Sequence, residues 1–356
     1  MTLERIEKLK SLARAEGLDC LAMMPGANMV YLTGLRFHLM ERPTLAFIPV
    51  EGSPALVLGA LEATKPAAGP HPIDWRLFTF ADGTDPALAY AAAGQALKLA
   101  GGRIGVETLA MRVKELRLLE AAVPGAHLDA ADHLFSQLRM VKDVSEIAAM
   151  RRAVRLAEDA LSRTLDSFKV GMAEKEIAAE LLVNLLRGGA ESLPFEPIVI
   201  SGPNTALPHA SAGARPVRHG DLLLFDFGVA VDGYASDITR TFAVGQIDDE
   251  LRRVYDLVLK ANQAGRGTAG PGVSGQAIDR AARQVIVEGG YGDFFTHRTC
   301  HGLGLDGHEP PYVVEGNTVP FESGNVVTIE PGIYLPGRGE FASRTTSSSP
   351  RPASTS

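Results

Sequence analysis

The chain has 356 residues, of which 46% are hydrophobic and 22% charged, so it can bury the cores of two domains. Its 35 basic and 42 acidic residues give a net charge of −7 with no basic cluster, which argues against nucleic acid as a partner. Two cysteines are too few for a disulfide framework, and neither a signal-peptide pattern nor a run of about 18 apolar residues is present. The sequence therefore predicts a cytoplasmic protein with no membrane partner.

The first part of the chain alternates helix and strand patterns. Apolar residues at helical spacing predict a helix over 3–16, which Gly17 ends. Short apolar runs predict three buried strands, Cys20–Met24, Pro43–Pro49 and Ala55–Leu58. A further helix is predicted over 86–100. This pattern predicts an α/β domain over residues 1–138, without a phosphate-binding glycine loop.

The second part of the chain, from residue 139, has a different pattern. A long amphipathic helix is predicted from Ser145 to about Phe168. The later predicted elements are helices over 172–187, 248–264 and 274–289, with strands over 196–201, 221–231 and 234–243. Two helix pairs, each followed by antiparallel strands, predict an α+β domain that resembles a duplicated unit.

Two aspartates lie on one predicted hairpin. Asp226 interrupts an apolar strand, where a carboxylate is costly unless it is paired. If Asp232-Gly233 is the two-residue turn, Asp226 lies opposite Thr239 and shares a face with Asp237. Such diagonal neighbours are about 7–8 Å apart, near enough to bind one cation. The alternative is a hydrogen-bonded structural aspartate beside a surface aspartate.

A histidine and a glutamate extend this acidic pair. Glycines surround His301, and Glu330 ends a strand in which Val327 and Ile329 would face the core. Separately, a turn with an incidental histidine and a strand-end glutamate are adequate explanations. Together the four candidate ligands suit Mn, Co, Fe or Zn better than a metal that prefers thiolates. The four candidate ligands are Asp226, Asp237, His301 and Glu330.

In order and spacing, the four candidate ligands resemble the pita-bread metallopeptidases, which include methionine aminopeptidase, aminopeptidase P and prolidase. The segments from Phe195 to Asn204, Leu207 to His209, His301 to Pro311 and Thr328 to Tyr334 are most similar to the branch that cuts beside proline. The resemblance implies a pita-bread domain over 139–339, preceded by a creatinase-type N-terminal domain. In that family two aspartates, one histidine and two glutamates hold two divalent ions that activate water.

The resemblance also implies roles for single residues. Asp226 would bind the first ion and Asp237 would bridge both ions, while His301 and Glu330 would bind the second. His209 and His308 match histidines that contact the substrate and steady the reaction intermediate. Tyr312 stands where some prolidases have an arginine that holds the substrate carboxylate. A strict preference for dipeptides is therefore not implied.

The chain departs from the family pattern after Gly339, where the fifth ligand, a glutamate, is expected. If residues 340–356 are back-translated with GC-rich codons of our choice and read two bases out of frame, they give Val-Arg-Ile-Glu-Asp-Asp-Val-Val-Val-Thr-Glu, which is the strand expected from the resemblance. We hypothesise a single-base deletion or a sequencing slip after codon 339. As written, residues 340–356 are rich in Ser, Thr and Pro and are predicted to be disordered, so Glu340 is not assigned as a ligand.

The implied function is metal-dependent hydrolysis of the bond between an N-terminal residue and proline in short peptides, impaired here by the lost ligand. The implied cofactor is a divalent ion, with manganese preferred and cobalt or zinc as alternatives. The family has two such ions, and here the lost ligand leaves two, one or none of them as alternatives. A homodimer is implied as well. Two other functions stay open at this point, a metal-poor binding protein that catalyses nothing and a creatinase-like amidinohydrolase.

Overall fold

The computed structural model describes residues 2–70, 73–207, 210–335, 339–342 and 345–348. The chain divides into two compact units, Met1–Arg139 and Met140–Ser356, one residue beyond the boundary expected from the sequence. In the described part of the chain, no helix is both long and apolar enough to span a bilayer.

The first unit contains one mixed sheet of six strands in the order β4-β3-β2-β1-β5-β6, as far as its residues are described. Its strands are β1 Cys20–Met23, β2 Leu45–Pro49, β3 Ala55–Gly59, β4 Arg76–Phe80, β5 Arg103–Val106 and β6 His127–Ala130. Its helices are α1 Thr2–Ala15, α2 Ala27–Thr33, α3 Lys65–Ala68, α4 Ala87–Leu97, α5 Val113–Ala122 and α6 Asp132–Arg139. Every residue of β1, β2 and β3 is buried, as expected of short, continuously apolar runs.

Glu107, directly after β5, is a carboxylate buried in the first unit. It is 4% exposed and accepts hydrogen bonds from the Met24 amide and from the Asn28 side chain. Burial raises the pKa of Glu107 to about 7, and these donors offset the effect only in part.

We expect Glu107 to destabilise the first unit as the pH rises. The folded carboxyl binds its proton more tightly than the unfolded one, whose pKa is 4.5. The free energy of unfolding therefore falls between these two values, by on the order of 3 kcal/mol once the pH exceeds 7. Urea unfolding at about pH 5 and about pH 8 should show a larger loss for the wild type than for Glu107→Gln. Equal losses would contradict the assignment.

The second unit combines helix pairs with short sheets. Its helices are α7 Val144–Ser167, α8 Glu174–Arg187, α9 Asp249–Thr268 and α10 Gly275–Glu288. Its first strands are β7 Ile198–Ser201, β8 Leu222–Phe227, β9 Ala230–Val231, β10 Tyr234–Ala235 and β11 Ile238–Ala243. Its later strands are β12 Cys300–Gly302, β13 Glu309–Val313, β14 Val326–Ile329, β15 Gly332–Leu335, β16 Gly339–Ala342 and β17 Thr345–Ser348.

The helix α7 begins with a capping box that its sequence specifies. The Asp143 carboxylate accepts hydrogen bonds from the amides of Ser145 and Glu146, and the Glu146 carboxylate accepts one from the Asp143 amide. The helices α7 and α8 then bury apolar residues against the sheet β11-β8-β7. Since β8 and β11 precede and follow the aspartate hairpin, this core fixes the base of the candidate site.

The predicted disorder of residues 340–356 is wrong for two stretches. The strand β16 pairs with β15, and β17 pairs with β14, both antiparallel. Pairing uses backbone groups that every residue except proline supplies, and threonine favours strands. A segment rich in Ser and Thr can therefore pair without an apolar face. The rest of the predicted tail lies outside the described residues.

The two ladders formed by this segment follow one register. Ile329 lies opposite Thr345, and three residues further along the chain Gly332 lies opposite Ala342. Glu330 therefore lies between two paired stretches in which residues are matched with the same offset.

Candidate functional site

A tight turn sets the register of the aspartate hairpin. Asp232 and Gly233 have φ angles of 52° and 79°, the left-handed pair that a two-residue hairpin turn requires. The Glu191 carboxylate accepts hydrogen bonds from both turn amides, at 2.9 Å each. Val231 then lies opposite Tyr234, as the sequence predicts.

The same register carries through to Asp226, which lies opposite Thr239 as predicted. The predicted strand over 221–231 is nevertheless broken into β8 and β9. At the break, the Val229 amide donates to the Ser236 hydroxyl at 3.0 Å, and the Ser236 amide donates to the Val229 carbonyl at 2.8 Å. Asp237 follows this interruption directly before β11 and is 1% exposed. It is thus a buried carboxylate at the end of a strand.

His301 contacts two of the other three candidate ligands. His301 Nε2 lies 3.4 Å from Asp237 Oδ2 and 3.1 Å from Glu330 Oε1. The Thr328 hydroxyl donates to Glu330 Oε1 at 3.0 Å, so these two side chains share a face of β14 and its end, while Ile329 is buried in the core. This alternation agrees with the prediction. The strand pairing of β12 with β14 brings His301 to this face.

The proton on His301 is directed to one ring nitrogen. Its Nδ1 lies 2.9 Å from the Gly302 carbonyl, which can only accept, so Nδ1 carries the proton and neutral His301 presents a lone pair at Nε2. Burial by itself lowers the pKa of His301, but the carboxylates of Asp237 and Glu330 outweigh it and raise the pKa to about 9. The two carboxylates therefore stabilise a positive charge next to His301 Nε2.

Asp226 lies at the wall of a cavity of about 540 Å³. Phe195, Pro197, Asp306 and His308 are other parts of that wall. The structure thus joins the aspartate hairpin to the loop after His301 around one concave surface. A concave site with a few convergent polar groups is the usual form of a binding site for a small ligand.

The predicted substrate-contacting residues have different outcomes. The rings of His308 and His301 meet edge to face with their centres 3.8 Å apart, so His308 lies both in the cavity wall and beside the ligands. The ring of Tyr312 lies under the guanidinium of Arg298, 4.3 Å from its centre. His209 lies outside the described residues.

The chemistry of the four candidate ligands fits a divalent cation. Three carboxylates, with an imidazole that presents Nε2 in its neutral form, make a set of hard oxygen donors and one nitrogen. His301 Nε2 is a buried nitrogen without an aligned hydrogen bond among the residues described. Within those same residues, no group of three or more His, Cys, Asp or Glu side chains is placed so that it could hold a metal ion as it stands. The donor types suit a metal, and the sequence after Gly339 does not contain the glutamate strand that the resemblance implies.

Sequence reasoning missed residues that support the site. Asp306 lines the cavity, and Glu309 forms a buried ion pair with Lys142 at 2.7 Å. Glu309 adjoins His308 and could have been noted on that ground. No sequence pattern indicated a role for Lys142, because its partner Glu309 is 167 residues away.

Comparison with known families divides the chain in the same place. Residues 148–346 match the model of metallopeptidase family M24, and residues 5–141 match the creatinase/prolidase N-terminal domain. Among curated proteins, the putative dipeptidase YkvY of Bacillus subtilis is 32% identical over 339 residues, 95% of this chain and 92% of its own length. The probable dipeptidase PepE of Mycobacterium tuberculosis is 35% identical over 326 residues, 90% of this chain and 85% of its own length.

Solved structures agree with these matches. A prolidase from Thermococcus sibiricus superimposes with a TM-score of 0.92 at 31% identity, covering 98% of this chain and 94% of its own. An X-Pro aminopeptidase from Thermotoga maritima superimposes with a TM-score of 0.85, also at 31% identity, covering 97% of this chain and 95% of its own. With the buried carboxylate and histidine contacts described above, these matches establish that the chain belongs to metallopeptidase family M24 and carries its creatinase-type N-terminal domain.

Proposed function

We propose that this protein is an Xaa-Pro metallopeptidase, which hydrolyses the bond between an N-terminal residue and proline in short peptides. The observation that carries the proposal is the buried contact of His301 with Asp237 and Glu330, beside a cavity that Asp226 and His308 line. Relatives named dipeptidase, prolidase and X-Pro aminopeptidase support this substrate class.

The proposed metal position is held by the four candidate ligands, with manganese first and cobalt or zinc as alternatives. When bound, such an ion supplies an activated water and polarises the scissile carbonyl. Asp226 and Asp237 would hold it from the hairpin, and His301 would bind through Nε2. Glu330 is the candidate to carry the proton between the attacking water and the leaving amine, since its carboxylate is buried at the same point.

The proposed role of His308 is to donate a hydrogen bond to the substrate oxygen as negative charge develops on it. Its place in the cavity wall beside His301 supports this role. His209 is proposed to act with it, on the family resemblance alone. The Tyr312 side chain itself carries no positive charge for a substrate carboxylate, and the neighbouring Arg298 guanidinium stacks on its ring. We therefore propose that tripeptides are cleaved as well as dipeptides. A homodimer in the cytoplasm belongs to the same proposal.

One assay tests the reaction class. Ala-Pro and Ala-Pro-Ala should be hydrolysed with added Mn²⁺ and not in the presence of a chelator, while creatine should be untouched. Cleavage of creatine would favour the amidinohydrolase. If neither peptide is cleaved at any metal concentration, even by a chain with the fifth ligand restored, the alternative of a binding protein that catalyses nothing is favoured instead.

The charge of the cavity wall predicts a substrate preference. Apart from the candidate ligand Asp226, the described wall residues include the carboxylates of Glu196 and Asp306 and no Lys or Arg. We expect kcat/KM for Lys-Pro to exceed that for Glu-Pro by roughly fivefold, because the wall attracts a cationic substrate and repels an anionic one. The ratio should shrink in about 0.5 M salt and in Glu196→Gln. A ratio that salt leaves unchanged would contradict an electrostatic origin.

A further inference from the structure

Lys142 and Glu309 form an ion pair that is almost fully buried, with Nζ 2.7 Å from Oε1 and side chains 1% and 6% exposed. We propose that Lys142 is a positioning residue, which acts through Glu309 to hold the segment that carries His308. The expected effect of Lys142 on kcat rests on the proposed function, whereas its expected effect on the position of His308 does not. Two buried charges are costly to desolvate, so removal of either one takes away a directly contacting opposite charge that offsets this cost for the other.

The backbone on both sides of Lys142 is fixed. The Lys142 amide donates to the Gly324 carbonyl at 2.9 Å, and Val141 forms a bridge with Asn325. The Asn325 side chain donates to the Met140 carbonyl at 2.9 Å. Lys142 therefore extends from a rigid support at the start of β14, and its ammonium group has a defined position.

Glu309 transmits that position to the loop over 303–308. A Cβ on Gly304 would lie 2.5 Å from Glu309 Oε1, so the carboxylate packs directly against the loop backbone where only glycine fits. The Gly304 carbonyl accepts a hydrogen bond from the Ala235 amide at 2.8 Å. The loop is thereby attached to the hairpin that carries Asp237. The ion pair holds the other side of this loop.

His308 immediately precedes Glu309 in the chain, and its ring meets that of His301 edge to face. At the strand pairing beside it, Gly302 lies opposite Glu309. A shift of Glu309 therefore changes the distance between the two histidine rings. Without the ammonium of Lys142, the Glu309 carboxylate loses the charge that holds it at this position, while its hydrogen bond from the Asp306 amide, at 3.4 Å, remains. A shift of the carboxylate then moves the adjoining His308.

Three variants and a control test the proposal: Lys142→Met, Lys142→Arg, the double variant Lys142→Met with Glu309→Gln, and the control Arg112→Met. The control removes the partner of Glu115, a fully buried carboxylate of the first unit. The first readout is the His308 ring resonance in the ¹H–¹³C NMR spectrum of the metal-free protein, assigned with His308→Gln. The second comprises kcat and KM for Ala-Pro at saturating Mn²⁺, with Tm measured on every variant.

In Lys142→Met we expect the His308 resonance to move and kcat to fall on the order of tenfold or more, with a smaller change in KM. The double variant, which removes both charges, should restore the resonance and bring kcat within about threefold of the wild type. Arg112→Met should lower Tm and leave the His308 resonance and kcat at their wild-type values. If Lys142→Met does not fold, the double variant and Lys142→Arg decide by the same two readouts.

A purely structural ion pair gives a different result. Lys142→Met would then lower Tm while the His308 resonance and kcat stay at their wild-type values, or the double variant would fail to restore them, and either outcome overturns the proposal. If the wild type cleaves no peptide, the proposed function fails, and the His308 resonance alone still decides whether Lys142 positions the loop.

Discussion

A chain whose reading frame is restored after Gly339 is expected to bind two divalent ions and to cleave Ala-Pro on the order of 100-fold faster than the 356-residue chain. The restored base completes one codon ahead of the valine codon, so the frame supplies one residue and then Val-Arg-Ile-Glu-Asp. The glutamate is therefore the fifth residue after Gly339. Ile329 lies opposite Thr345, and Gly332 lies opposite Ala342. A restored strand that keeps this register places its glutamate opposite Glu330, where one carboxylate from each strand can bind the same ions.

Metal content of the purified proteins and steady-state hydrolysis of Ala-Pro measure this effect. The matched control is the frame-restored chain with glutamine in place of that glutamate, which has the same strand and should behave as the 356-residue chain does. Stoichiometric binding of two ions by the 356-residue chain would contradict the prediction. A gene sequence that cannot encode the shifted reading would end the frameshift hypothesis itself.

Asp237→Asn is expected to reduce kcat/KM for Ala-Pro by on the order of 1000-fold and to weaken Mn²⁺ binding at least about 100-fold. Asp237 is 1% exposed and contacts His301, so an amide removes one of the buried negative charges that would hold the ion. An amide oxygen is also a weaker donor than a carboxylate. The measurements are Mn²⁺ titration of the metal-free protein and peptide hydrolysis over a range of Mn²⁺ concentrations.

Asp232→Asn is the control for this variant, because Asp232 belongs to the same hairpin but has a side chain that is 61% exposed and paired with Arg152. It should retain wild-type metal binding and activity. If excess Mn²⁺ returns Asp237→Asn to full activity, Asp237 serves binding alone. If both variants lose the same fraction of activity, the loss comes from the hairpin as a whole.

The hairpin and the end of β14 could be predicted from the sequence because local rules determine them. A two-residue Asp-Gly turn fixes which residues face each other, so the pairing of Asp226 with Thr239 needed no distant information. The face of Glu330 followed from strand alternation with Ile329. The interruption at Val229 was missed, since it depends on a hydrogen bond from the Ser236 side chain.

Contacts between distant segments could not be predicted in the same way. The contact of His301 with Asp237 joins two sheets, and only the family resemblance pointed to it before the structure did. The pairing of Lys142 with Glu309 has no pattern in the sequence at all. The strand Thr345–Ser348 was predicted as disordered because composition was used to judge it, whereas an available sheet edge decided its conformation.

The shared register of the last strands has a consequence for how a damaged copy of such an enzyme would be noticed. Main-chain pairing at a sheet edge is indifferent to most side chains. Under the frameshift hypothesis, every residue of this segment could therefore differ while strands still pair with β14 and β15. A screen based on expression yield or melting temperature would accept the product as sound. Measurements of bound ions and of peptide hydrolysis would be needed to test whether the chemistry is retained along with the architecture.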